Sequence, residues 1–258
     1  MPGTGPPPAS TGELNGPKMP VSQFGSPTGP KGWLAAHVVA RLTGDANRWM
    51  VDCLDVGPDD RVLDVGCGPG LAVAFAAQAS RGQVVGVDAS PTMVRHAQRR
   101  NRVAVREGRV EIHCADAGQL PFPGGHFTRA GSLNSLQFWS PPDRGLRELH
   151  RVLAPGGRVA MVLMARTDDP PGGATPAWVE ETAGQMVSAG FAGMEVTSQS
   201  FGGVLHRALL GRRPAGPGPR GKRSGAPLDP TADGVRKGAV TSIRTVYELS
   251  SPDDNFCA

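Results

Sequence analysis

The sequence is short of several things, and each shortage argues against a class of protein. Its 258 residues hold four cysteines, Cys53, Cys67, Cys114 and Cys257, with no CxxC pair and no metal-ligand spacing. That pattern argues against a disulfide scaffold or a zinc site and fits free thiols in a reducing cytosol. The six histidines share no spacing and form no H-x-x-x-H, which argues against a metal centre. No apolar run approaches the about 20 residues of a membrane span. The start, MPGTGPPPAS, shows no basic segment leading into an apolar one, so no secretory leader is visible and the cytoplasm is the expected compartment. No repeat of period 20–50 appears. Lysine is scarce, at 4 of the 27 basic residues, and between 33 and 210 the chain carries 17 basic and 17 acidic residues. The net charge of +4 therefore arises at the two ends. A fold built to grip nucleic acid carries its charge on the folded body, so this balance argues against such a partner.

What is present is a folded middle between loose ends. Hydrophobic residues make up 39%, enough for a core. Of the 36 glycines and 25 prolines, 15 fall within residues 1–32 and 11 within 211–235. Residues 1–30 read as a disordered Pro/Gly-rich arm, 31–211 as the folded domain, and 212–258 as a flexible basic tail. Within the domain, 31–57 reads as an N-terminal helical segment, placed to act as a lid.

From Arg61 onward, strand and helix patterns alternate. Strands are expected at Arg61–Val65, Gln83–Val87, Val110–Cys114, Thr128–Leu133 and Arg158–Met164. Helices are expected at Leu71–Ala79, from Pro91, from Pro142 and over Thr175–Gly190. Met194–Ser200 and Val204–Leu210 read as an antiparallel pair joined at Gly202-Gly203. This alternation predicts an α/β fold, a mostly parallel sheet with helices on both faces and an antiparallel edge. For Ala239–Leu249 the periodicity leaves strand and helix open.

In such a sheet, ligands bind beyond the carboxyl ends of the strands, and three motifs lie there. In Val62-Leu63-Asp64-Val65-Gly66-Cys67-Gly68-Pro69-Gly70, a buried strand feeds a loop with glycine at every second position. Glycines there let the backbone turn and approach a ligand closely, and a helix N-terminus follows. Counted from Gly66 or from Gly68, the dinucleotide spacing G-x-G-x-x-G/A fails, because Leu71 or Val73 takes the last place. Asp64 is badly placed beside a pyrophosphate and well placed beside a cationic amine. Asp88, about 20 residues after the loop, suits the vicinal hydroxyls of a ribose; taken alone it reads equally as a cap, with Ser90, for the Pro91 helix. Asp116, after the third strand, can accept from an adenine amino group, the plain alternative being a solvated loop acid.

Together the segments VLDVGCGPG, VVGVDAS, ADAGQLPFPGGHF, SLNSLQFW and ELHRVLAPGGRVAMV resemble the class I S-adenosylmethionine-dependent methyltransferases, and the last two are close to the methyltransferase type 11 group. The resemblance covers about residues 58–164 and, by architecture, runs to about 211. It implies a Rossmann-like seven-stranded sheet with one antiparallel strand. It implies S-adenosyl-L-methionine as the cofactor, with Gly66, Cys67, Gly68 and Gly70 around its methionine part and Asp64 near its amino group. Asp88, with Ala89 beside it, would hold the ribose. Asp116 and Ala117 would meet the adenine, with Met93 packing near the ring. Asn134 and Gln137 would face the methionine end and the acceptor. The family often has an acid after the Phe127 position, where this chain has Thr128-Arg129; that position lies on the entry side of the strand, away from the ligand. SLNSLQFW is not the N/D-P-P-Y/F type that the family ties to methylation of amide or exocyclic-amine nitrogens.

The expected activity is methyl transfer to a small molecule, in a partly apolar pocket drawn from residues 24–50, 119–141 and 165–185, with Trp33, Phe138, Trp139 and Trp178. No catalytic base stands out; His37 and His126 are the two histidines whose loop and lid positions can reach the cleft. Cys67, between two glycines, reads as a packing residue rather than a nucleophile. A cofactor-binding module without catalysis is the main alternative, and an NAD-dependent oxidoreductase a further one.

Overall fold

The computed structural model describes residues 44–164, 174–216 and 244–245. The Pro/Gly-rich arm, the Trp33–Leu42 helical pattern, His37, Cys257 and all of the tail beyond Gly216 except Arg244-Thr245 lie outside the described residues. The elements run in chain order as α1 (Gly44–Leu54), β1 (Val62–Val65), α2 (Leu71–Ala79), β2 (Val84–Asp88), α3 (Pro91–Arg100), α4 (Arg102–Arg106), β3 (Val110–Cys114), β4 (Phe127–Leu133), a 3-10 turn (Leu136–Phe138), α5 (Pro142–Val152), β5 (Leu153–Leu163), α6 (Pro176–Ser188), β6 (Ala192–Phe201), β7 (Val204–Arg212) and β8 (Arg244–Thr245).

The strands form one sheet in the order β3-β2-β1-β4-β5-β7-β6-β8. β7 alone runs antiparallel to its neighbours, β5 and β6. This is the expected sheet of seven strands with one reversed, and the two-residue β8 adds an eighth beside β6. Arg244-Thr245 falls within the stretch whose periodicity did not decide between strand and helix.

Strand alternation divides the core in two. Leu63, Val65, Val85, Val87, Val159, Met161, Leu163 and Leu209 point to the face covered by α5 and α6. Val62, Val84, Val110, Ala160, Val162, Ala208 and Leu210 point to the other face, under Met50, Val51 and Leu54 of α1 and Ala72, Val73 and Ala76 of α2. Burial on both faces is why the inner strands read as unbroken apolar runs.

Local chemistry sets the helix starts. Ser90 caps α3, its hydroxyl accepting from Met93 N–H at 3.4 Å with Pro91 in the first turn, and Thr175 does the same for α6 through Trp178 N–H at 3.3 Å with Pro176 behind it. One expectation is corrected, and one short helix was not foreseen. β5 begins at Leu153 rather than Arg158, because the chain turns extended directly after α5 and Phe127 pairs with Leu153 before the register shifts past the Pro155-Gly156-Gly157 stretch. α4 follows α3 immediately after Asn101, whose side chain bonds back to Ala97 O at 2.9 Å and Gly70 O at 3.0 Å. Among the described residues no helix is long and apolar enough to cross a membrane.

Candidate functional site

The strand order reverses beside β1, with β2 and β3 on one side and β4 and β5 on the other. Such a switch point opens a crevice at the carboxyl ends of the strands, and four loops meet there. The glycine loop after β1 is tied to β2, since the N–H groups of Gly66 and Cys67 both donate to Val87 O, at 2.7 and 2.9 Å. Gly68 N–H donates to Asp88 Oδ2 at 2.8 Å, and Ser90 N–H donates to Asp88 Oδ1 at 2.8 Å. Asp88 thus braces two loops while Ser90 caps α3. Each carboxylate oxygen carries one protein bond and keeps a second acceptor site.

Gly66 and Gly68 do different work. At Gly66 (φ +74°) a Cβ would collide with the Ser135 side chain, so the residue must be glycine for β4's loop to close on β1's. At Gly68 (φ +52°) a Cβ would meet nothing within 4 Å, so this glycine faces open space at the crevice. Gly70 lies against Ala97 and Asn101 of α3 and has a packing reason of its own.

Asp64 is buried at the end of β1. Its in-register neighbours are Gly86 on β2 and Gly131 on β4. Val73 and Cys67 cover the first of these glycines, and Met50 and Leu54 the second. Burial among these apolar groups pushes its carboxyl up to about 7, with the Asp88 charge adding to the shift. Burial likewise raises Asp88, partly offset by the N–H groups of Ser90 and Gly68. The Cys67 thiol is pushed well above its usual range by burial and by the two acids, so Cys67 is a packed neutral thiol, as its neighbours in the sequence suggested.

The loop after β4 supplies unpaired acceptors. Asn134 sits at φ +50° with its N–H on Val162 O at 2.8 Å. Its Oδ1, and the Oε1 of Gln137, are buried with no hydrogen-bond partner. Ser135 Oγ accepts from Trp139 Nε1 at 2.9 Å and donates to Val65 O at 3.3 Å, which locks this loop to β1. On the β3 side, Met93 is buried in the first turn of α3 and Ala117 packs on the core. Asp116 is exposed, one oxygen taken by Gly118 N–H at 2.7 Å, and Ala89 is exposed beside Asp88.

The structure thus joins Asp64, Gly66, Cys67, Gly68, Asp88, Asn134 and Gln137 across neighbouring loops, with Asp116 and Ala117 on the next. Other candidates lie elsewhere. His126 precedes β4 at the opposite edge of the sheet and bonds Gln83 Oε1 at 2.8 Å. Trp178 is 3% exposed within the core under α6, whereas Phe138 is exposed beside the β4 loop. Thr128 stands at the entry end of β4 as expected, where its Oγ1 accepts from Arg61 N–H at 2.9 Å and donates to Asp60 Oδ1 at 2.7 Å. No metal-ligating cluster occurs among the described residues. Missed in the sequence were the flanking glycines at 86 and 131, whose strand positions are the signal that Asp64 lies buried.

The donor set therefore fits a ligand with a vicinal diol for Asp88, a cation for Asp64 and donors for the two orphan amide oxygens, brought close at Gly68. Comparisons with known proteins point the same way. A family model described as a methyltransferase domain matches residues 62–157. An uncharacterized methyltransferase, YdaC of Bacillus subtilis, is 23% identical over 70% of this chain and 99% of its own length. The 27-O-demethylrifamycin SV methyltransferase of Amycolatopsis mediterranei is 37% identical over 43% of this chain and 41% of its own. The chain spans less than half the length of most of the curated relatives it matches. A solved SAM-dependent methyltransferase from Aquifex aeolicus shares the fold with a TM-score of 0.58 and 19% identity, covering 70% of this chain and 97% of that one.

Proposed function

We propose that the chain is a class I S-adenosylmethionine-dependent methyltransferase, through the methyltransferase domain matched at residues 62–157, and that it methylates a small-molecule acceptor by in-line displacement. S-adenosylmethionine, when bound, supplies a methyl group on a sulfonium leaving group, so the protein's main task is alignment. Asp88 would hold the ribose hydroxyls with its two remaining acceptor sites, and Asp64 the amino group of the methionine part. Gly66, Cys67, Gly68 and Gly70 would form the floor beneath that part. Asp116 and Ala117 would meet the adenine edge, with Ala89 and Met93 beside them. The oxygens of Asn134 and Gln137 would accept from the methionine end or the acceptor.

One observation carries the reading: Asp88 grips Gly68 N–H at the point where the Gly68 α-carbon faces open space. That pairing positions a diol-binding carboxylate and an unobstructed backbone side by side. The small-molecule acceptor is supported by the Amycolatopsis relative, whose name gives it a rifamycin acceptor, and by a folded body with no excess of positive charge.

Calorimetry with S-adenosylhomocysteine tests it. The wild type should bind with a micromolar constant. Asp88→Ala should weaken binding about tenfold or more, the loss of about 1.5–3 kcal/mol of charged hydrogen bonding. No binding by the wild type, or equal binding by the variant, would overturn the reading.

A further inference from the structure

Beyond the cofactor loops, one buried side chain at the same edge of the sheet has an acceptor atom without a donor. His206, on β7, is 2% exposed, and its Nε2 is buried with no hydrogen-bond partner. Its other ring nitrogen, Nδ1, lies 2.9 Å from Val204 O. A carbonyl only accepts, so Nδ1 carries the hydrogen, and in the neutral ring Nε2 presents a lone pair. Burial keeps the imidazole below its usual range, which favours that neutral form.

Sheet register places the residue. Leu133 pairs with Val162 and Leu163 with Arg207, so Asn134, Leu163 and Arg207 stand at one level across β4, β5 and β7. His206 is one residue further toward the carboxyl edge, where the crevice opens. It is two strand spacings from β4, about 10 Å. It shares the sheet face of Ala208 and Leu210, the face covered by α1 and the one to which Asp64 also points. Its ring stands edge-on to Phe201 at 5.2 Å, and Phe201 lies 5.8 Å from Trp49 of α1. Of the five orphan side-chain atoms among the described residues, His150 Nε2 and Thr182 Oγ1 belong to the helices α5 and α6, on the other face. The remaining three, on Asn134, Gln137 and His206, lie along the carboxyl edge.

We propose that His206 recognises the methyl acceptor. Its Nε2 accepts a hydrogen bond from an O–H of that molecule, and Phe201 and Trp49 favour a planar aromatic body beside it, so the acceptor is a phenolic compound. This rests on the methyl-transfer reading above. The apolar walls alone would prefer a hydrocarbon; the lone pair is what selects the hydroxyl, because an unpaired buried acceptor discriminates against a ligand that cannot satisfy it.

The test uses two probes of like shape, phenol and toluene, titrated by NMR into the full chain saturated with S-adenosylhomocysteine. Phenol should bind the wild type at least about fivefold more tightly than toluene. His206→Leu should erase that preference, while His206→Gln, whose side-chain oxygen can accept at a similar place, should keep most of it. All three proteins should bind S-adenosylhomocysteine alike, which shows that the variants fold and leaves the cofactor side untouched. Equal binding of phenol and toluene by the wild type, a preference that survives in His206→Leu, or no binding of either probe would overturn the proposal. Failure of the wild type to bind S-adenosylhomocysteine would instead overturn the methyl-transfer reading, and this proposal with it.

Discussion

Two glycines two residues apart should respond to the same substitution in opposite ways. Gly66→Ala puts a Cβ into the Ser135 side chain at a left-handed backbone, φ +74°. Ser135 has little room to retreat, because its Oγ is held by Trp139 Nε1 at 2.9 Å and bonds Val65 O at 3.3 Å. The left-handed conformation costs about 1–2 kcal/mol for a non-glycine residue, and overpacking about 1–3 kcal/mol more. A loss of about 3 kcal/mol lowers Tm by roughly 6–12 °C in a domain of this size. Gly68→Ala bears only the backbone cost, about 1–2 kcal/mol, since nothing stands within 4 Å of its Cβ. Its Cβ instead fills the space through which a ligand approaches, so S-adenosylhomocysteine affinity should fall at least about tenfold, or 1.4 kcal/mol. Thermal unfolding by circular dichroism and calorimetric titration of both variants give the comparison. A Gly68→Ala protein that binds as tightly as wild type, or that loses more stability than Gly66→Ala, would refute the division of labour argued for this loop.

Three further outcomes follow from the charges, bonds and thiols. Asp64, raised from 3.8 to about 7, keeps a proton in the folded state that the unfolded chain has lost between those values. Its contribution therefore makes stability fall as pH rises through that window and level off above it; urea titrations at several pH values should show Asp64→Asn with a shallower decline, and matching slopes would count against the burial argument. Thr128→Val strands Arg61 N–H and Asp60 Oδ1, which should cost about 1–3 kcal/mol of stability while leaving S-adenosylhomocysteine affinity unchanged; a binding defect would contradict the placement of Thr128 at the far edge of the sheet. Iodoacetamide followed by peptide mass mapping should modify the exposed Cys114 and spare the buried Cys67 in the native protein, and early labelling of Cys67 would show that its thiol is less enclosed than the structure has it.

The loops proposed to hold the cofactor were legible because their constraints are local. A backbone that must approach a ligand needs glycine, and a diol needs a carboxylate at the next strand end, so Gly68 and Asp88 stand out as candidates within about twenty residues. Capping and proline signals likewise fixed α3 and α6. Where sequence reading went astray, the deciding contact was remote or the signal ambiguous. α4 is five residues long with none buried, too short for a periodicity to show. The start of β5 at Leu153 depends on Phe127 pairing across the sheet, which no window of the sequence contains.

The same distinction explains why the acceptor side stayed dark. Its candidate walls come from α1, the β4 loop, the end of β6 and the start of β7, so Trp49, Phe201 and His206 meet only through register, with Asn134 two strands away on the same edge. His206 has no neighbour in sequence that marks it: its tautomer is set by Val204 and its aromatic contact by Phe201, across the Gly202-Gly203 turn. Its position at the crevice follows from Leu163 pairing with Arg207. Conserving a donor demands a short chain segment of fixed chemistry. Choosing an acceptor demands only that a few distant side chains converge on one edge of the sheet, and in a fold of this type those side chains can change while the glycine loop stays the same. A histidine whose lone pair is buried at that edge is therefore the better guide to the acceptor than the motif that identifies the donor.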